Sequence, residues 1–121
     1  LIELINKLTK TITQNEPENW RKFIETYSRL ARQDRPTFLF HFMILKIWFQ
    51  SANRYQKKLH HILHDTSFEQ SIKRLVQHYP NADFTSVIFE LEETIFSIPQ
   101  NLYMPLVLIN LLLRIQKYLK S

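Results

Sequence analysis

Residues 84–119 read FTSVIFELEETIFSIPQNLYMPLVLINLLLRIQKYL, and the fold is decided there. In the first part Phe84, Val87, Ile88, Leu91, Ile95 and Ile98 recur at three- and four-residue intervals, with Glu90, Glu92 and Glu93 between them. That period places the apolar side chains on one stripe of an α-helix and predicts the three glutamates on its solvent side. Asp83 stands where an N-cap carboxylate accepts from first-turn amides. Residues 99–104 read as a connector, and Pro105 opens a further helix over 105–119, at a position where the missing N–H costs nothing. Leu106, Val107, Leu108, Ile109, Leu111, Leu112, Leu113 and Ile115 wrap this helix almost completely, interrupted by Asn110 and Arg114 before a charged end at Lys117 and Lys120. A helix so apolar must be buried on most sides, either as the centre of its own domain or with help from another polypeptide.

The same period continues upstream. Leu1, Leu4, Ile5, Leu8 and Ile12 make residues 1–13 an amphipathic helix, with Glu3, Asn6, Lys7 and Lys10 facing away. Asn15 or Glu16 sits near the cap of a second helix, with Pro17 in its first turn and Trp20, Phe23, Ile24, Tyr27, Leu30 and Ala31 on its stripe. Asp34-Arg35-Pro36 repeats that start signal and opens a long segment carrying Phe38, Leu39, Phe42, Met43, Leu45, Ile47, Trp48 and Phe49. Ala52, Tyr55, Leu59, Ile62 and Leu63 keep the helical spacing, so this helix is predicted to run to about Leu63. At 1.5 Å rise per residue its length would be roughly 42 Å, with a kink or break near residues 60–66. Asp65, Thr66 or Ser67 caps a shorter helix with Phe68, Ile72, Leu75 and Val76, which stops at Tyr79 because Pro80 disfavours α geometry in its predecessor. No period-two alternation persists, and without glycine the primed hairpin turns are poorly served. The prediction is a single all-α domain over residues 1–121, a bundle of about five to six helices.

Composition narrows the function. Apolar residues make up 45% and charged residues 22% of the chain. That is the profile of a folded domain rather than a disordered tail. Glycine is absent where average usage predicts roughly 8. Its absence excludes the phosphate-cradling P-loop and the dinucleotide fingerprint, both built on Gly-rich turns. The absence of cysteine removes disulfides, thiolate metal sites and Cys nucleophiles, and fits a reducing compartment. The most apolar stretch, residues 38–49, is broken by His41 and Lys46, and it falls short of the roughly 20 residues a bilayer crossing needs. No membrane span or signal peptide is predicted. The chain opens on Leu1 already inside a helical pattern, as a piece of a longer protein would.

Four constellations bear on chemistry. His60, His61 and His64 form an HHxxH cluster with Asp65 beside it, but the general-base glutamate of a zincin is missing and no third ligand stands out. Glu90 and Glu93 share a helix face from which Glu92 points away, with no apolar pocket to part their pKa values. Ser28, Ser51, Ser67, Ser71 and Ser86 lie in no nucleophile elbow, which needs glycines. Phe38, Phe40, Phe42, Trp48 and Phe49 fall in helical period and read as core rather than as a base-stacking platform. No catalytic residue, metal or cofactor is therefore expected, and the domain is expected to be non-catalytic. The excess of 16 Lys and Arg over 11 Asp and Glu is densest at Lys57, Lys58, Lys73 and Arg74. It opens an alternative: a basic helical module that binds nucleic acid or an acidic protein partner.

Residues 20–119 also resemble a known family. Leu91-Glu92-Glu93 and Ile95, Asn101 in the connector, Pro105, and Leu111-Leu112-Leu113-Arg114-Ile115 are similar to the end of the bacterial DNA polymerase III clamp-loader delta-prime subunit and its gamma/tau relatives, best to the delta-prime type of Bacteroidetes-like sequences. Trp20-Arg21 and the run from Gln33 through Asp34, Arg35, Pro36, Thr37 and Phe38 to Leu39 resemble upstream elements of that family. The resemblance implies the helical collar domain of a longer AAA+ subunit. Its role would be mechanical, holding loader subunits in a ring so that the ATPase modules act on the sliding clamp during DNA replication. It implies a cytoplasmic location, the other loader subunits (gamma/tau and delta) as partners, at most indirect or weak contact with DNA, and no small-molecule substrate. Under it the last helix, with the preceding one, supplies subunit contact through Leu106, Ile109, Leu113 and Arg114, and Asn101 holds the connector by local backbone hydrogen bonds.

Overall fold

The computed structural model describes residues 1–57 and 66–120, with side chains described from residue 68 in the second stretch. The chain is all-α: α1 (Ile2–Thr13), α2 (Pro17–Gln33), α3 (Arg35–Gln56), α4 (Thr66–His78), α5 (Phe84–Ser97), a 3-10 turn (Ile98–Gln100) and α6 (Met104–Leu119). Two of the predicted caps form as expected. The Asp34 carboxylate accepts from the Thr37 amide at 3.3 Å and from the Thr37 hydroxyl at 2.7 Å. Asp83 does the same with Ser86, at 3.1 and 2.6 Å, and the N–H bond in each cap satisfies an amide that the first helical turn leaves without a partner. Pro17 opens α2 behind Glu16, whose side chain makes no capping bond.

Without glycine the helix ends are closed by side chains from elsewhere. The last carbonyls of α1 would be orphans. Instead Thr11 O accepts from Trp20 Nε1 at 2.9 Å, Ile12 O from Gln116 Nε2 at 3.3 Å, and Thr13 O from Gln116 Nε2 and, at 3.3 Å, from Tyr79 Oη. The α3 helix ends at Gln56, shorter than its spacing predicted. Lys57 has already left helical geometry at ψ 7°, and Gln56 Nε2 turns to the α4–α5 corner, donating to Pro80 O at 3.1 Å and Ala82 O at 2.8 Å. The apolar positions that prolonged the pattern lie in residues 58–65, outside the described residues. The same corner closes α6, because the Asp83 amide donates to Tyr118 O at 2.9 Å.

The core runs between two sets of contacts. On one side α3 packs against α5, α4 and α2; on the other α6 packs against α5, α2 and α1. Phe38, Phe42, Phe49, Phe84, Leu91, Leu108, Leu112 and Ile115 are fully buried where these sets meet. Phe38 and Phe42 stack with centroids 4.3 Å apart, and Tyr27 presents its edge to both, at 6.0 and 5.7 Å, the offset and edge-on arrangements that aromatic quadrupoles favour. Phe40 departs from its predicted place: it stands 57% exposed. The buried stripe of α3 holds Phe38, Phe42, Leu45, Phe49 and Ala52. A residue two positions from Phe38 and from Phe42 is turned about 200° from either at 3.6 residues per turn, so Phe40 faces outward. No described helix is long and apolar enough to cross a membrane.

Candidate functional site

The last helix decides the question raised by its composition. Its core face, Met104, Leu108, Leu111, Leu112, Ile115 and Leu119, is covered by the chain's own α1, α2 and α5. Part of the remaining surface is not covered. Leu106 is 57% exposed and Leu113 is 53% exposed. Their seven-position spacing brings both to one side of the helix, two turns apart. Asn110, Arg114, Lys117 and Lys120 share the solvent side. Ile109 is half-buried against the core.

Arg114 binds within the chain: its Nη1 lies 3.1 Å from Glu90 Oε2 on α5. Glu90, expected on the solvent face of α5, is buried. The guanidinium that makes this burial tolerable comes from 24 residues away in the sequence. A buried carboxylate needs such a partner, and the spacing of the glutamates alone carries no sign of it. Glu93 is exposed and Glu92 half-buried, on different sides of α5.

Asn101 fixes the connector in another manner than expected. It takes the left-handed conformation, φ 53° and ψ 40°, that closes the 3-10 turn. Its Oδ1 accepts from Arg35 Nη2 at 3.2 Å, while Arg35 Nε donates to Ala31 O, so the side chain ties the α5–α6 connector to the α2–α3 corner rather than to its own backbone. The missing glycine of the composition is the signal: an asparagine after Pro-Gln is the residue that replaces glycine in this region of backbone space.

Beside Pro105, the first turn of α6 and the flank of α2 enclose an open groove of about 610 Å³, lined by Ile24, Glu25, Ser28, Arg29, Arg32 and Pro105. Arg21 on α2 is held by Glu18 and, at 2.6 Å, by Glu25. That pairing holds the Glu18 carboxyl below the usual range, the hydrogen bond from Arg21 being the chief cause. Arg29 and Arg32 have no carboxylate within ion-pair distance among the described residues.

Sequence reasoning missed a second apolar surface. Phe40, Met43 and Ile47 on α3, and Phe89 and Phe96 on α5, are all exposed. Positions 40, 43 and 47 keep helical spacing out of phase with 38, 42, 45 and 49, a signal that a uniformly apolar segment hides. The His60, His61 and His64 cluster, with Asp65, lies outside the described residues; among those described no three His, Cys, Asp or Glu gather as metal ligands do. Of the basic groups, Lys57 reaches Thr85 Oγ1 at 3.5 Å, Arg74 donates to Ser71 Oγ at 3.2 Å, Lys73 is exposed, and Lys58 is outside the described residues.

One polar pair sits inside the aromatic cluster. Tyr27 Oη is 2.8 Å from His41 Nδ1. Burial pushes the Tyr27 phenol up to about 12, so it stays protonated beside the ring nitrogen. The geometry thus defines a helical bundle with uncovered apolar side chains on its last helix. In comparisons with known proteins, no family model, no curated protein and no solved structure matches the chain.

Proposed function

We propose that this chain is an assembly domain that binds other protein subunits through the outer face of α6. Within the family that residues 20–119 resemble, it is the collar of a DNA polymerase III clamp-loader subunit of delta-prime or gamma/tau type, holding loader subunits together in the cytoplasm while ATPase modules act on the sliding clamp. The observation that carries the reading is the pair Leu106 and Leu113, each more than half exposed on a helix whose opposite side is fully packed. Covering the exposed half of each leucine contributes about 1 kcal/mol, and a neighbouring subunit supplies that cover. A collar role asks for apolar surface held rigidly on a helical frame, which these residues provide.

Leu113→Asp in the full-length protein tests this. Because Leu113 is exposed, the variant keeps its helical circular dichroism. Its stability changes by no more than about 0.5 kcal/mol, as for most surface substitutions. It is expected to drop out of the complex when co-expressed with gamma/tau and delta and run on a sizing column. A folded variant that co-elutes like the parent overturns the assignment.

A further inference from the structure

The charges around the exposed leucines are lopsided. The α6 segment MPLVLINLLLRIQKYL contains no aspartate or glutamate; its Arg114 is paired with Glu90 of α5, and Lys120 lies on the solvent side beyond its last turn. Across the groove, α2 brings Arg29 and Arg32, one turn apart and both exposed. The groove's own carboxylate, Glu25, and Glu18 on the same helix are both committed to Arg21, which leaves Arg29 and Arg32 as its unpaired charges among the described residues. The apolar part of the groove lining is Ile24 and Pro105, and Leu106 is the next residue along α6. Ser28, which also lines the groove, has a hydroxyl with no hydrogen-bond partner among the described residues.

An occupant must match both features at once. Resting on the assembly reading above, we infer that the α2–α6 groove and the Leu106–Leu113 strip take an acidic amphipathic helix of a partner protein. Its apolar side chains seat on Ile24, Pro105, Leu106 and Leu113, and its carboxylates pair with Arg29 and Arg32 in the bidentate geometry a guanidinium favours. A second copy of this chain docked face to face repeats the same arginines against themselves, because a two-fold contact uses one surface twice. A nucleic-acid backbone satisfies the arginines and leaves the leucines uncovered.

The test uses the full-length protein and three fluorescent probes: a helical peptide of leucine and glutamate, the same peptide with lysine for glutamate, and a short DNA duplex. The acidic peptide is expected to bind with salt-sensitive affinity. Arg29→Glu with Arg32→Glu should weaken it about tenfold or more and transfer binding to the lysine peptide, since like charges across an interface repel and opposite ones attract. Leu106→Asp with Leu113→Asp should abolish binding of the acidic peptide. Equal binding of both peptides, undisturbed by the arginine substitutions, overturns the acidic occupant and leaves the assembly reading standing. Duplex binding that needs the arginines and ignores the leucines overturns the inference in favour of a phosphate site, and absence of peptide binding overturns it outright. Failure of the assembly reading itself is seen separately, as normal co-elution of the Leu113→Asp subunit.

Discussion

Asn101 shows how a chain without glycine turns a corner. Among the described residues it alone has positive φ, and a branched side chain there meets the steric cost of the left-handed region. Asn101→Val is expected to lower the unfolding free energy by about 1–2 kcal/mol. Asn101→Gly should lower it by less than about 1 kcal/mol, since glycine accepts the backbone but forfeits the Arg35 bond. Equal losses in chemical denaturation would assign the effect to that bond instead of the backbone. His41 sets a pH dependence. Its ring is held below the ordinary histidine range mainly by burial, with the Asp34 charge opposing. The unfolded ring protonates near about 6.5, so its contribution is whole above that pH and is lost as the pH falls from there through the lower folded value. Denaturation midpoints should fall from about pH 7 to about pH 5, and His41→Gln should flatten that fall; an unchanged slope would place the titrating group elsewhere. At this scale the sequence is readable where partners are close: Asp34 and Asp83 cap residues three positions on. Glu90 with Arg114 and Asn101 with Arg35 are bonds across 24 and 66 residues, and no local pattern carries them.

Among elements, α3 is the least transparent. Its start follows from Asp34 and Pro36, yet nearly every residue from Phe38 to Phe49 is apolar, so the pattern says helix without saying which side faces inward. Phe42 and Phe40 separate the two sides. Phe42→Ala removes a ring stacked on Phe38 in the core and should cost about 3–5 kcal/mol. Phe40→Ser, at an exposed position, should stay within about 0.5 kcal/mol. Thermal or urea unfolding checks both, and a large loss at Phe40 would mean that this face is covered. The end of α3 was hidden for a related reason: no breaker follows Gln56 in the sequence, and the partners its side chain finds, Pro80 O and Ala82 O, lie far along the chain. By contrast α5 and α6 were legible in extent, because Asp83, Pro99 and Pro105 punctuate them. The breadth of the apolar face of α6 was legible too; which of its leucines stay outside depended on where α2 and α5 settle.

For the molecule as a whole, the all-helical class followed from a period that never switches and from the lack of turn glycines. The arrangement of helices did not, since it is set by long-range contacts such as the one Gln116 makes. This buried amide reaches two carbonyls at the end of α1. Gln116→Leu leaves those acceptors without it and should cost about 1–3 kcal/mol. Hydrogen exchange is expected to rise first in the last turn of α1, and a uniform rise across all helices would instead show global loosening. The span of that bond has a consequence for synthesis. Ile12 and Gln116 are 104 positions apart. During synthesis α1 leaves the ribosome well before α6, so its carbonyl end stays open to water until the segment bearing Gln116 has been made. Of the two helices the earlier is sealed by the later, and a stall between them strands it unsealed.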